Sequence, residues 1–366
     1  MSLFDLVQDY DGNTTILGVH TCGQGDGDYS YTCGLSIRTY KFGLNKCCVQ
    51  KYSCKMFDSS NLPLTFAFIY TANNKLQGSI PNEIGLLSHL KTLLLPYNLE
   101  LTGSLPNGLG RMEKLNQLCL QWSGLSGTIP KWISNMENLR VLGLGNNHFT
   151  GTIPNEIGLM SNLEVVGLDN NMLKGDVNLF GSLFNLKSLF LENNHITGDI
   201  SNSLLSSWKN IEVLDLGDNE VGGRMPQNFF QNNEALKVLD LHGNKFFGSI
   251  PNQIFPSNEA RLEVLAIHDN KFTGTVPESI ANLGRLKHLD LSLNLFNGAI
   301  PNRLEELTSL EYLFLGGNDF ESSSLPECLK HLTNLRDISF RSSLITGHIP
   351  TFIEKLSKLE YLDLSK

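Results

Sequence analysis

A leucine pattern that returns every 23 to 26 residues dominates this chain. Counted from its first leucine as position one, the pattern reads L-x-x-L-x-L-x-x-N. A constant period of this length predicts a solenoid, in which each copy forms one coil and packs against its neighbours. The twelve copies open at Leu90, Leu115, Leu139, Leu163, Leu186, Ile211, Leu236, Leu262, Leu286, Leu310, Leu335 and Leu359.

The pattern has a mechanical interpretation. The leucines at positions four and six alternate with outward residues, as in a strand with one buried face, and identical strands one coil apart stack as a parallel sheet. Each buried leucine contributes about 1.5–3 kcal/mol. The asparagine at position nine can donate and accept hydrogen bonds, so a stack of these amides can satisfy buried turn groups. Ser123 and Ser343 interrupt that stack, where we expect it to be weakest.

A second signature, G-x-I-P, follows the asparagine in several copies, for example at residues 151–154 and 248–251. The combined sequence resembles the plant-type leucine-rich repeat of receptor-like kinases, receptor-like proteins and polygalacturonase-inhibiting proteins, over residues 62–366. The resemblance implies an α/β solenoid: a right-handed, curved superhelix with a parallel sheet on its concave face and short helical or irregular convex segments. It also implies ligands bound mostly on the concave face, outside the cell, and a cysteine-paired N-terminal cap.

The distribution of cysteines and repeats divides the chain into two regions. Residues 1–61 hold five of the seven cysteines and the chain's one glycosylation sequon, at Asn13, which favours a disulfide-stapled cap in an oxidising compartment over a zinc site. Residues 62–366 hold the twelve copies and a degraded first one. The chain ends at LDLSK, within a strand signature, so we expect the native protein to continue. Neither a secretion signal nor an apolar run of membrane-spanning length is present in the sequence.

Position two alternates in charge without an exception over ten coils. Because stacked strands lie ~4.8 Å apart, each charge meets opposite charges above and below. We interpret this column as a structural ladder that sets the coil register and not as a ligand site. Its members are Arg140, Glu164, Lys187, Glu212, Lys237, Glu263, Lys287, Glu311, Arg336 and Glu360.

The other outward columns, at positions three, five, seven and eight, carry no Lys or Arg in the first ten copies. We expect them to present a negative field suited to a basic peptide or protein, although each aspartate could instead merely hydrate its strand. With a net charge of −9, nucleic acid is not expected as a partner. The candidate acidic and histidine ligand-binding residues are Glu192, Asp215, Asp240, His242, His268 and Asp290.

The two histidines, His242 and His268, occupy the same column on neighbouring coils. We expect them to be exposed and to become protonated below neutral pH, which would partly cancel the acidic field, while a zinc ion shared with Asp240 or Asp269 is the rival interpretation. Exposed aromatic residues are the other candidate anchors, because rigid rings supply contact energy at interfaces. They are Tyr97, Trp122, Phe190, Tyr312 and Phe314, with Tyr361 two coils beyond the last pair.

Motifs of metalloproteases, serine hydrolases, nucleotide-binding loops and kinases are missing from the sequence. The leading interpretation is therefore a non-catalytic receptor ectodomain that binds a protein or peptide, needs no cofactor and meets the membrane only through a segment outside this chain. A secreted inhibitor of an extracellular enzyme and an intracellular repeat scaffold are the alternatives. The sequence does not define the oligomeric state.

Overall fold

The computed structural model describes residues 67–227, 229–230, 233–252, 261–343 and 345–366, and the backbone of two short strands nearer the N-terminus. Those strands, Val7–Gln8 and Thr14–Thr15, pair antiparallel. The predicted disulfide-stapled cap otherwise lies outside the described residues. The chain divides into two compact units, Met1–Met172 and Leu173–Lys366, and each is described by itself.

The predicted parallel strands form at positions three to five of each copy and build what we call the front sheet. In the first unit Leu142 lies in register with Val166, and in the second Leu189 lies in register with Leu214. All four side chains are buried, so the in-phase stacking of aliphatic residues is confirmed within each unit. The front strands are Phe68–Tyr70, Thr92–Leu94, Gln117–Cys119, Val141–Gly143 and Val165–Gly167 in the first unit, and Ser188–Phe190, Val213–Asp215, Val238–Asp240, Val264–Ala266, His288–Asp290, Tyr312–Phe314, Asp337–Ser339 and Tyr361–Asp363 in the second.

A second set of parallel strands, which the sequence pattern did not predict, begins at or just after position nine. We call it the second sheet. Many of these strands end near the glycine of G-x-I-P, where Gly151 has φ 80° and Gly248 has φ 81°, a left-handed conformation that glycine adopts without steric cost. The strands are Gly78–Ser79, Asn98–Gly103, Ser123–Thr128, His148–Thr152, Met172–Asp176, His195–Thr197, Gly222–Gly223, Lys245–Ser249, Lys271–Gly274, Leu295–Gly298 and Asp319–Phe320.

The rest of G-x-I-P begins a short helix. Ile153 is buried, and Pro154 precedes the helix with its carbonyl accepting a hydrogen bond from the Ile157 N–H at 3.1 Å. Where the proline is missing, the Asp176 side chain caps the helix by accepting from the Asn178 N–H at 2.8 Å. The described 3-10 helices are Asn82–Leu86, Asn107–Arg111, Lys131–Asn135, Asn155–Leu159, Val177–Ser182, Glu278–Asn282, Asn302–Glu306, Glu327–His331 and Thr351–Lys355, and Asn202–Ser207 is α-helical. No helix among the described residues has the length and apolar character that crossing a bilayer requires.

The asparagine stack at position nine is confirmed. Asn147 is typical: its Nδ2 donates to the carbonyls of Leu120 and Leu144 at 2.9 and 3.0 Å, and its Oδ1 accepts from the Leu125 N–H at 3.1 Å. The amide therefore ties its own coil to the preceding one. The hydroxyls of Ser123 and Ser343 are buried without a hydrogen-bond partner, which is the predicted weakness.

The alternating charges at position two also pair as predicted. Arg140 contacts Glu164 at 3.2 Å in the first unit. In the second unit Arg336 reaches Glu311 at 3.3 Å and Glu360 at 3.0 Å, so one guanidinium bridges the coil on either side. Because these groups are partly exposed, each ion pair contributes only about 0–1 kcal/mol to stability. A contribution of this size suits a role in setting the register between coils.

Candidate ligand-binding face

We call the outward side chains at positions three, five, seven and eight the strand face. Its position-five aspartates were expected to contribute to a negative field, but their side chains are buried. Asp215, Asp240 and Asp290 are 1%, 8% and 4% exposed. One carboxylate oxygen of each accepts from the backbone N–H two residues later, at 3.1, 3.1 and 3.0 Å. The side chain folds back over the end of its strand and satisfies a turn amide that the front sheet leaves unpaired.

His242 was predicted to be exposed but is only 3% exposed. Its Nδ1 lies 2.6 Å from Asp240 Oδ1 and its Nε2 lies 3.3 Å from Asp218 Oδ2. Burial alone would lower the pKa of His242, but the hydrogen bond to Asp240 and the charges of both aspartates raise it to about 9. The same contact lowers the pKa of Asp240 against the effect of burial. A protonated imidazole thus stands inside the region predicted to be negative only.

His268 extends this network onto the next coil. Its ring stacks on that of His242 with centroids 4.7 Å apart and planes 10° apart, and its Nδ1 lies 3.2 Å from Asp290 Oδ2. Aspartates and imidazoles therefore alternate along the strand face, and the protonated His242 offsets part of the negative charge around it. Any negative field here is weaker than the count of carboxylates suggests.

A divalent cation is the ligand that such groups most readily suggest. Single ligand atoms of Glu192, Asp218 and His242 lie within 4.8 Å of one another. Glu192 is buried and Asp218 is partly exposed. An imidazole must be neutral to coordinate a metal, and the two aspartates raise the pKa of His242 to about 9, so a metal here would have to displace a tightly held proton. We therefore describe this group as an ion-pair network.

Asp169 in the first unit is the other buried carboxyl of the strand face, at 1% exposure. Its Oδ2 accepts from the Asn146 and Asn170 side chains at 2.7 and 3.1 Å, while its Oδ1 has no hydrogen-bond partner. Burial raises the pKa of Asp169 to about 6, and the two asparagines only partly oppose that rise. At neutral pH the ionised form is therefore held in an unfavourable site.

Asp169→Asn is expected to raise the free energy of unfolding at pH 7 by about 2 kcal/mol. The pKa rises from 3.8 to about 6 on folding, which sets an upper limit of about 3 kcal/mol at 1.36 kcal/mol per pKa unit. Because the folded state binds the proton more tightly, this gain is full above the folded pKa and disappears as the pH falls to about 4. Urea denaturation at pH 7 and pH 4 measures it, with exposed Asp319→Asn as the control. An equal effect at both pH values would contradict the assignment.

The aromatic candidates have different environments. Tyr97 and Trp122 stack with ring centroids 5.6 Å apart and planes 9° apart, and Tyr97 is 40% exposed. Tyr312 and Phe314 are half-buried and both contact the ring of His288. Phe190 was predicted to be exposed, but it is 1% exposed, so that prediction is wrong.

The backbone at position eight distinguishes the Tyr97–Trp122 stack from ordinary packing. Position eight adopts a left-handed conformation in many coils, and most coils place Asn, Asp or Gly there. Tyr97 and Trp122 have φ values of 59° and 57°, which is costly for a bulky side chain. Residues that break a local rule in this way concentrate at functional sites. The exception was visible in the sequence, because most other copies place Asn, Asp or Gly at position eight, where these two copies place an aromatic residue.

Comparisons with known proteins identify the repeat. Residues 186–366 match a family model described as a leucine-rich repeat region, and residues 138–160 match one described as Leucine Rich Repeat. No curated protein sequence matches the chain.

Among solved structures, the chain is similar to a TDR receptor, with 30% identity and a TM-score of 0.71 over 79% of this chain and 49% of that one. It is similar to the Arabidopsis receptor kinase HAESA, solved with the peptide hormone IDA and the co-receptor SERK1, with 31% identity, a TM-score of 0.69, and coverage of 83% and 54%. It is also similar to the plant peptide hormone receptor RGFR1 in complex with RGF2, with 27% identity, a TM-score of 0.60, and coverage of 80% and 57%. The chain spans about half the length of these receptor chains.

Proposed function

Because the chain belongs to the plant-type leucine-rich repeat proteins, we propose that it is a non-catalytic recognition module whose strand face binds a peptide or protein ligand outside the cell. The similarity to receptors solved with peptide hormones, at about 30% identity over four fifths of the chain, supports this role. We propose that it acts as part of a receptor ectodomain.

The Tyr97–Trp122 stack is the observation that supports assigning ligand contact to particular residues. Large rigid rings on a framework of fixed strands lose little conformational entropy on binding, and such residues often dominate interface energy. The strain at φ near 60° adds an argument, because most other coils place Asn, Asp or Gly at this position, with Leu293 and Ser342 as exceptions. We therefore place one contact area of the ligand on these two rings.

The experiment is selection from a phage-displayed library of random dodecapeptides on the intact chain. We expect enriched peptides to bind the double variant Tyr97→Asn, Trp122→Asn at least tenfold more weakly, as loss of interface hot spots commonly costs more than about 1.4 kcal/mol. Asparagine is the matched replacement, since Asn146 and Asn170 hold the same backbone conformation at this position.

The control is Leu159→Ala, which removes a 76% exposed side chain from the helix Asn155–Leu159. Its binding should equal that of the unaltered chain, and thermal unfolding should show all variants folded. The proposed function fails if no peptide is enriched. The placement on the two rings fails if the double variant binds as tightly as the parent.

A further inference from the structure

Three outward residues on consecutive strands near the C-terminal end form an arrangement that the proposed function does not use. Tyr312 lies in register with Asp337, and Asp337 lies in register with Tyr361. A carboxylate thus stands between two phenol rings on one column of the front sheet. Tyr361 is 53% exposed, and Asp337 and Tyr312 are half-buried, so the column is open to solvent.

The Asp337 carboxylate carries no ion pair or hydrogen bond within the described part of the chain. The charge of its sequence neighbour Arg336 lowers the pKa of Asp337, but that guanidinium makes its ion pairs with Glu311 and Glu360. Burial, and then the charge of Glu360, raise the pKa of Asp337. The nearby positive charge of Arg336 therefore offsets these effects only in part.

Arg341 is a second arginine near these strands. It follows the strand Asp337–Ser339, and its charge helps lower the pKa of Asp363. Asp363 is also held locally, since its Oδ1 accepts from the Ser365 N–H at 2.9 Å. Arg341 is thus associated with a different carboxylate, and its charge does not contribute to the pKa shift of Asp337.

The spacing of the column suits an organic cation. Adjacent strands lie ~4.8 Å apart, so a cation centred over Asp337 would lie about 5 Å from each tyrosine column. That is inside the ~6 Å range in which a cation is attracted to the face of an aromatic ring. The other side of the Tyr312 ring is already covered by His288, with centroids 5.7 Å apart, and burial keeps the pKa of that imidazole low, so it adds no competing charge.

We propose that Tyr312, Asp337 and Tyr361 form a clamp for the guanidinium group of an arginine side chain in the ligand. A guanidinium is planar, stacks on aromatic faces and donates two parallel hydrogen bonds to one carboxylate, whereas an ammonium offers a point charge without a plane. The inference rests on the proposed function only for the source of the arginine, a peptide or protein bound to the strand face.

The test uses the intact chain labelled with 3-fluorotyrosine and the probe acetyl-Gly-Arg-Gly-amide. The chain has nine tyrosines, and the signals of Tyr312 and Tyr361 are assigned from the variants Tyr312→Phe and Tyr361→Phe. Titration followed by ¹⁹F NMR should shift both signals with one dissociation constant. The citrulline analogue, which keeps the shape and loses the charge, should bind at least tenfold more weakly.

Asp337→Asn should weaken binding of the arginine probe about tenfold, and Tyr361→Leu should abolish the shift of the Tyr312 signal at the same probe concentration. Asp319→Asn, an exposed aspartate on a second-sheet strand, is the matched control and should change nothing. The clamp is refuted if the citrulline analogue binds equally well or if Asp337→Asn has no effect. Equal binding of the lysine analogue would overturn the guanidinium assignment.

The tripeptide needs no natural ligand, so the two tests are independent. A clamp that fails while library peptides still bind the strand face leaves the proposed function standing. If the clamp binds the arginine probe but no library peptide is enriched, the proposed function is refuted and the clamp is not.

Discussion

Replacing His242 with glutamine is expected to lower the free energy of unfolding by about 3 kcal/mol more at pH 6 than at pH 9.5. The contacts with Asp240 and Asp218 raise the pKa of His242 from 6.5 to about 9 in the folded state. The folded chain therefore holds this proton more tightly than the unfolded chain. The resulting stability is full below pH 6.5 and is lost as the pH rises through 9. The shift of about 2.5 pKa units corresponds to about 3 kcal/mol.

Urea denaturation of the parent and of His242→Gln at pH 6, 8 and 9.5 measures this effect. Glutamine cannot carry the charge, so the difference in unfolding free energy between the two proteins should be largest at pH 6. His148→Gln, which alters an exposed histidine on a second-sheet strand, should change stability by less than about 0.5 kcal/mol throughout. A His242→Gln difference that is the same at all three pH values would show that the imidazole is neutral in the folded protein.

The periodic part of this molecule was predictable because equivalent residues have the same packing and hydrogen-bonding environment in every coil. Leu142 and Leu189 occupy equivalent positions and are buried in the same way. Asn147 bonds backbone carbonyls of its own coil and of the coil before it. Arg336 meets the opposite charges that alternation predicted on both sides. Because the pattern is repeated twelve times, an exception in one copy does not obscure it. The buried leucines, the asparagine stack and the paired charges could therefore be assigned without a structure.

The strand face was less predictable, because alternation shows only that a side chain leaves the sheet outward. It does not show whether the side chain then bends back. Asp240 returns to the His242 amide and also holds the His242 ring, and neither contact is visible in the periodic pattern. For the same reason the sequence analysis named Tyr312 as a candidate anchor but not Asp337, whose proposed role depends on the tyrosines of the two neighbouring strands.

The composition of position eight held information that the periodic analysis did not use. Asn146 and Asn170 adopt φ values of 55° and 52°, and the two aromatic residues share that conformation. A column filled mostly by Asn, Asp and Gly indicates a left-handed turn, because those residues tolerate it best. An aromatic residue in such a column therefore stood out in the sequence as an exception to the turn chemistry of that column.

Replacing a buried position-nine asparagine should cause a large loss of stability for a polar residue in the repeats. Asn244 is 8% exposed. Its Nδ2 donates to the carbonyls of Leu216, Leu241 and His242 at 2.8, 3.2 and 2.9 Å, and its Oδ1 accepts from the Val221 N–H at 3.0 Å. Asn244→Ala leaves the Val221 N–H buried without this acceptor, at about 1–3 kcal/mol. The three carbonyls each lose one of two donors, because Asn219, Asn270 and the Asp218 N–H still bond them. We therefore expect a total loss of about 2–3 kcal/mol.

Asn244→Ser is the informative companion variant, because serine already occupies this position at Ser123 and its hydroxyl finds no partner. We therefore expect serine to recover little of the loss. The control is Asn162→Ala, which removes an exposed amide that makes one hydrogen bond, to the Glu137 carbonyl at 2.8 Å, and should cost less than about 1 kcal/mol. Since the Asn244 amide joins one coil to the one before it, its loss should also broaden the urea transition by weakening the interface between coils. A loss for Asn244→Ala no larger than that for Asn162→Ala would mean that the leucine columns alone hold neighbouring coils together.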